Sequence, residues 1–366
     1  MRIGIDARAV SNPQRGGYKT YTENLIEALA RVDARNQYLI YLDRKTDDGL
    51  RLGDNFSRRV IRSGVKVVGT GFREQVILPT RLRLDGVDVA HFPCNTAPIL
   101  YPGRFVMTIH DVIELLPNRW RNRSLKARVL GWYERFVMAL AAKRATLVIT
   151  DSLNSKRDIV SALGIDPDVV RVIYISAHPR YTRVEGAKVA VERKYGLDGY
   201  ILAIGSAHPR KNASGAIEAY LRIKDAIPHQ LVLVCTHRRR PSSKRRGISF
   251  LEGVSDEDLC LLYNAAELFV FPSFYEGFGL PPLEAMACGT PVIASNRASL
   301  PEVIGDAGIL VDPDDVEGMA SAMLRVLNDE RLQKQLSERG IERAKRFRWE
   351  KTAKETVAVY EEAYSM

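Results

Sequence analysis

The sequence predicts an α/β chain made of two doubly wound domains, and three observations carry that prediction. Its 366 residues amount to about two domains at ~150 residues each. Short apolar runs alternate with helix-length segments, as in parallel sheets covered by helices on both faces. That alternation runs through the chain twice, once in each half. Hydrophobic residues make up 46% of the chain and charged ones 27%, which allows sizeable cores and excludes wholesale disorder.

In the first half, apolar runs predict strands at 3–5, 65–68, 87–92, 105–109 and 147–150, with helices at 18–31, 124–143 and 152–163. In the second half, strands are predicted at 200–204, 231–235, 268–271, 292–294 and 309–311. Helices there fall at 213–225, 256–266, 282–287 and 316–328. A turn at Ala177-His178-Pro179-Arg180 and a polar helical stretch after it place the break within 177–197. The expected domains are 1–177 and 178–346, with 347–366 an amphipathic last helix whose docking is open, packing back toward the first domain being one placement. Open parallel sheets bind ligands beyond the carboxyl ends of their strands. Two such domains facing each other would hold ligands in a cleft.

Lys and Arg outnumber Asp and Glu by 54 to 44, a net charge of +10 that favours anionic partners. The four cysteines, Cys94, Cys235, Cys260 and Cys288, have no CxxC spacing and form neither a disulfide scaffold nor a zinc knuckle. A reducing, cytoplasmic compartment is expected. The first residues lack the apolar core of a signal peptide. No apolar run nears the ~20 residues that span a bilayer.

The stretch after the strand at 268–271 is the richest in chemistry. Pro272 ends the strand, Gly277 and Gly279 lie in the loop, and Pro281 or Pro282 suits a first helical turn. Such a loop offers backbone N–H groups and a positive helix end to an anion. Glu276 on the loop and Glu284 inside the helix are suited to sugar hydroxyls, since each carboxylate accepts several hydrogen bonds. An isolated pair of this spacing would read as two solvated glutamates at a tight turn; the flanking glycines and prolines argue against that here.

Arg210 and Lys211 follow the strand at 200–204 and open a helix that Asn212 can cap. Two cations there would neutralise a diphosphate leaving group; the alternative is an ordinary solvated basic pair. Gly16 and Gly17, between Arg15 and Tyr18, let backbone approach a ligand closely, although a plain turn explains them equally. His110 and Asp111 end the strand at 105–109, where sites are built in this architecture. The His110 imidazole suits a sugar hydroxyl or a developing charge, with a structural histidine as the alternative. His91 reads as a packed core histidine, and His178, His208, His229 and His237 show no metal-ligand spacing. Val254 precedes a helix capped by Ser255 or Asp256, and the aspartates at 312–315 cap the helix from Val316. No G-x-G-x-x-G occurs, so a dinucleotide-binding dehydrogenase lacks its fingerprint.

The run from Glu276 to Glu284 resembles the Glu-x7-Glu motif of family 4 retaining glycosyltransferases, also called group 1, which have the two-domain GT-B fold. The resemblance continues through 289–295, 300–303 and 308–313. Pro209-Arg210-Lys211-Asn212 is similar to mannosyltransferase-like bacterial members. The resemblance implies that Glu276 contacts the donor sugar and that the amides of Gly277, Phe278, Gly279 and Leu280 hold sugar or diphosphate. It implies Glu284 for the ribose, Arg210 and Lys211 for phosphate, and the segment at Val254 for the nucleotide base. Gly16 and Gly17 would face donor phosphates and acceptor, and His110, beside Asp111, would line the reacting face. Ser206 departs from the pattern, standing where many members carry arginine.

The implied activity is transfer of a sugar, with retention, from a nucleoside diphosphate donor to a saccharide or lipid-linked saccharide acceptor in surface polysaccharide synthesis. GDP-mannose is the first donor, with UDP-glucose and dTDP-rhamnose open. No metal, no cofactor and no nucleic-acid partner is expected. Two other classes stand beside it: an epimerase or phosphorylase of the same fold, and a non-catalytic sugar-nucleotide module. The basic stretch at 237–246 reads as solvated. The stretch at 119–133 interleaves cations with Trp120, Trp132 and Tyr133, which suits peripheral contact with an anionic membrane; a helix with one packed and one charged face fits it as well.

Overall fold

The computed structural model describes residues 1–11, 16–43, 49–61, 69–115, 125–205, 208–235 and 246–366, without the side chains of 69–70 and 125–130. The chain forms two compact units, Met1–Ile175 with Arg348–Met366, and Ser176–Phe347.

The first unit holds seven strands: β1 (Arg2–Asp6), β2 (Gln37–Leu42), β3 (Phe56–Val60), β4 (Val89–Phe92), β5 (Arg104–Thr108), β6 (Leu147–Thr150) and β7 (Val170–Val172). They pair in parallel in the order β3-β2-β1-β4-β5-β6-β7, so the winding reverses between β1 and β4. Central strands such as β4 and β6 are buried at every position, which is why they read as unbroken apolar runs. Gly4 is needed for packing: a Cβ there would lie 2.7 Å from Leu82 Cδ2. The Trp349–Ser365 helix closes this unit, burying Trp349, Ala353, Thr356, Tyr360 and Ala363 along one face. The Thr352 hydroxyl donates to the Tyr174 carbonyl at 2.6 Å.

The second unit holds β8 (Tyr200–Gly205), β9 (Gln230–Cys235), β10 (Ile248–Glu252), β11 (Leu268–Phe271), β12 (Val292–Ser295) and β13 (Ile309–Val311). The order is β10-β9-β8-β11-β12-β13, again parallel, and the winding reverses between β8 and β11. Asn212, Ser255 and Asp315 cap the helices that follow them.

Sequence reading missed β2, β3, β7 and β10, and the Leu78–Leu84, Leu300–Ile304 and Glu330–Ala344 helices. β3 and β10 are edge strands with polar or half-buried positions, where apolar patterning is weak. β2 is an unbroken apolar run close behind a helix, which periodicity alone does not separate from buried helix. The strand expected at 65–68 lies wholly outside the described residues. The helix expected from Pro282 begins at Leu280. Among the described residues no helix is long and apolar enough to cross a membrane.

Candidate functional site

In the second unit, β8 and β11 are neighbours at the reversal of winding, where a doubly wound sheet opens a crevice. Arg210 and Lys211 follow β8 and Glu276 follows β11, so the topology joins residues 65 apart in sequence. Lys211 Nζ lies 2.7 Å from Glu276 Oε1, and Arg210 Nη1 lies 2.6 Å from Oε2. The Ser273 hydroxyl donates to Oε1 at 2.7 Å. Burial opposes ionisation of Glu276, but Lys211 and then Arg210 overcome it and hold the carboxyl at about 2. Burial also pulls the Lys211 ammonium below its ordinary value, against the attraction of Glu276. That ammonium sits 4.8 Å from the centre of the Phe271 ring.

This arrangement adds a partner to the two cations expected at a helix start. Arg210 and Lys211 lie in a 3₁₀ turn, Pro209–Lys211, ahead of the Asn212 cap. Both are paired with Glu276, which leaves the trio one positive charge in excess. The solvated-pair alternative fails.

The loop beyond Glu276 is held from β12's side. The Ser299 hydroxyl lies 2.8 Å from the Glu276 carbonyl and 2.6 Å from that of Phe278. Gly279 has φ 114°, and a Cβ there would meet Leu300 at 2.7 Å, so glycine is required at this turn. The Leu280–Ala287 helix starts directly after it, and Pro281 and Pro282 bring no N–H. The N–H groups nearest this helix start on its N-terminal side therefore belong to Gly277, Phe278, Gly279 and Leu280.

Glu284 lies inside this helix, and Tyr263 donates to its Oε2 at 3.1 Å. Burial raises its carboxyl to about 7, with the Tyr263 hydroxyl opposing. Val254, half-buried before Ser255, enters no hydrogen bond with the Glu276 cluster among the described residues.

In the first unit, Gly16 precedes the Gly17–Val32 helix with φ −179°. Added Cβ atoms at Gly16 or Gly17 would meet nothing within 4 Å among the described residues, whose packing does not demand glycine at either position. Arg15 is outside the described residues, as is Ser206. His110 follows β5. Its Nδ1 lies 2.5 Å from Asp151 Oδ2 and its Nε2 lies 3.1 Å from the Pro93 carbonyl. Burial works against its protonation, but Asp151 outweighs it and the ring's pKa is raised. Neither nitrogen is left over for a sugar hydroxyl in this arrangement. The Asp111 carboxylate accepts the Ile113 N–H at 3.0 Å and shapes its own turn. His91 is a core histidine, as expected: it bridges Tyr360 and Thr108 at 2.7 and 2.8 Å, and burial lowers its pKa to about 3. Among the described residues no group of three or more His, Cys, Asp or Glu could hold a metal ion.

Sequence reading missed Ser273, Ser299, Tyr263 and Asp151. Asp151 directly follows β6, so the strand-end rule that selected His110 would have found it.

Two family models match the chain, Glycosyltransferase Family 4 over residues 15–176 and Glycosyl transferases group 1 over residues 186–343. The chain belongs to family 4 of the group 1 glycosyltransferases. The O-antigen chain mannosyltransferase B of Escherichia coli is 38% identical over 230 residues, a match covering 59% of this chain and 60% of that relative. The serotype-specific mannosyltransferase WbdA of Escherichia coli is 31% identical over 273 residues, covering 69% of this chain and 32% of the relative. The matches thus span less than two thirds of these relatives' own lengths. Sucrose-phosphate synthase from Thermosynechococcus elongatus superposes with a TM-score of 0.76 at 22% identity, covering 100% of this chain and 99% of that one. Together with the two doubly wound parallel sheets, this likeness identifies the GT-B fold.

Proposed function

We propose that this family member transfers a sugar, mannose in the first instance, from a nucleoside diphosphate donor to a saccharide or lipid-linked saccharide acceptor, with retention at the anomeric carbon. The observation that carries the reading is the Glu276–Arg210–Lys211 cluster at the β8/β11 reversal. An ionised, buried carboxylate with remaining lone pairs accepts donor-sugar hydroxyls. The excess positive charge beside it favours the diphosphate as it leaves, with no metal called on. Glu284 takes the ribose, and the amides from Gly277 to Leu280 take sugar or phosphate. Both Glu276 oxygens are occupied by cations and a hydroxyl, which makes the carboxylate a poor nucleophile. That favours an acceptor hydroxyl attacking from the leaving-group side. Mannose and surface polysaccharide are supported by the named activities of the two Escherichia coli relatives. The test is a panel of GDP-mannose, UDP-glucose and dTDP-rhamnose assayed for nucleoside diphosphate release. GDP release from GDP-mannose alone fits the reading; release from another donor replaces the sugar, and release from none removes the enzyme.

Peripheral contact with an anionic membrane at the inner face of the plasma membrane belongs to the same reading. Much of the 119–133 stretch lies outside the described residues or side chains. Its described end supports the contact: Trp132, Phe136 and Leu140 are exposed at successive turns of the Leu125–Ala142 helix, and the two rings stack at 5.4 Å. Flotation with anionic vesicles at low salt checks it, and a chain that stays unbound contradicts it.

A further inference from the structure

The β5/β6 register runs Val106 with Leu147, Met107 with Val148 and Thr108 with Ile149. Extended by two residues, it sets His110 directly beside Asp151 at the carboxyl ends of neighbouring strands. The Ile109 N–H still bonds the Ile149 carbonyl at 2.9 Å, so the strands remain paired up to this point. His110 is further fixed by its backbone: its N–H donates to Asn95 Oδ1 at 2.8 Å, and its carbonyl accepts the Ser155 hydroxyl at 3.0 Å.

We infer that Asp151 is a positioning residue that keeps His110 an imidazolium with both N–H groups committed, so that His110 acts through its charge and not as a proton acceptor. The inference rests on the proposed transferase reading for its consequence, but its chemistry stands on contacts within one unit. Each ring nitrogen faces an acceptor, a carboxylate on one side and a peptide carbonyl on the other. A neutral imidazole has only one N–H and leaves one of these contacts without its own proton. Asp151 is 2% exposed, and its other oxygen, Oδ1, is buried with no hydrogen-bond partner among the described residues. The carboxylate therefore relies on His110 for compensation.

The Tyr21 ring packs 4.5 Å from the His110 ring at a steep 81°, and the Tyr18 ring lies 5.4 Å away, tilted by 42°. The charged groups near the ring fit a cation. Asp111 adds a second negative charge nearby, and His91, on β4, is neutral. A fixed cation attracts anionic substrate groups such as a diphosphate and cannot take a proton from an acceptor hydroxyl.

The test is the histidine ring 15N titration of the full chain, wild type and Asp151→Asn. In the wild type, His110 keeps two protonated nitrogens to a pH above the ordinary histidine value of 6.5. In D151N the amide oxygen still accepts a hydrogen bond, the charge is gone, and burial brings the midpoint below 6.5. The kinetic counterpart is a fall in kcat of roughly tenfold for each unit of lost pKa, deepest where only the wild-type ring is charged and recovered as pH falls through the variant's midpoint. Asp151→Glu, which restores the charge, returns both signals toward wild type. A wild-type His110 with an unprotonated Nδ1 near neutral pH overturns the inference, as does a D151N loss that is the same at every pH. Absence of transfer with every donor, alongside a wild-type imidazolium, would overturn the transferase reading and leave the pairing intact.

Discussion

Glu276 and Glu284 share one loop and helix and are 8% and 9% exposed, yet their environments push them in opposite directions. Glu276 meets two cations and a serine hydroxyl and is held at about 2. Glu284 meets a tyrosine hydroxyl and rises to about 7. Burial disfavours the charge at both sites, so the difference lies in the partners. One carboxylate is a permanent anion and the other is poised near neutrality. Two carboxyls separated in this way are suited to separate tasks; in the proposed reading these are a fixed acceptor for the sugar at Glu276 and an adjustable grip on the ribose at Glu284.

The strongest way to break the comparison is Glu276→Gln. It removes the negative charge that Arg210 and Lys211 share and keeps the shape. Turnover should fall about a hundredfold, on the order of 3 kcal/mol. Steady-state kinetics on a variant that still unfolds cooperatively would check it, and activity within threefold of wild type would count against the role.

A smaller effect is expected at the other carboxyl. Tyr263→Phe removes the hydroxyl that favours ionised Glu284, so the Glu284 carboxyl should climb above about 7. The lost hydrogen bond is worth about 1 kcal/mol, which corresponds to roughly fivefold weaker donor binding at neutral pH. An unchanged donor KM would show that Glu284 does not grip the ribose through its charge.

The comparison also shows in stability against pH, where the two groups differ in sign. The Glu276 carboxyl is depressed from 4.5, so its contribution is present above 4.5 and is lost as pH falls toward 2. The Glu284 carboxyl is raised from 4.5 to about 7. Its folded state holds the proton longer, so stability drops as pH rises across that window. Denaturant melts of Glu284→Gln should lose the decline between 4.5 and 7, while those of wild type keep it.

The same contrast explains what was legible in the sequence. Glu276, Arg210 and Lys211 stand out because each follows a strand, and strand ends are visible as the close of an apolar run. Their pairing was hidden because it depends on β8 lying beside β11, and the order of strands in a sheet is not written in any one segment. His110 was visible for the same reason, whereas Asp151 reaches it only through the β5/β6 register. Caps at Asn212 and Asp315 were legible because they act on residues three positions away. The edge strands β3 and β10 were not, because exposed positions relax the apolar pattern that betrays buried ones.

Calorimetric titration of nucleoside diphosphate tests the central claim, that the Glu276–Arg210–Lys211 cluster is the donor site. The wild-type chain should bind GDP, and the Arg210→Ala, Lys211→Ala double variant should bind it at least about tenfold more weakly, for a charge-assisted contribution of roughly 1.5–3 kcal/mol. Equal affinity in a folded double variant would place the diphosphate elsewhere and contradict the account.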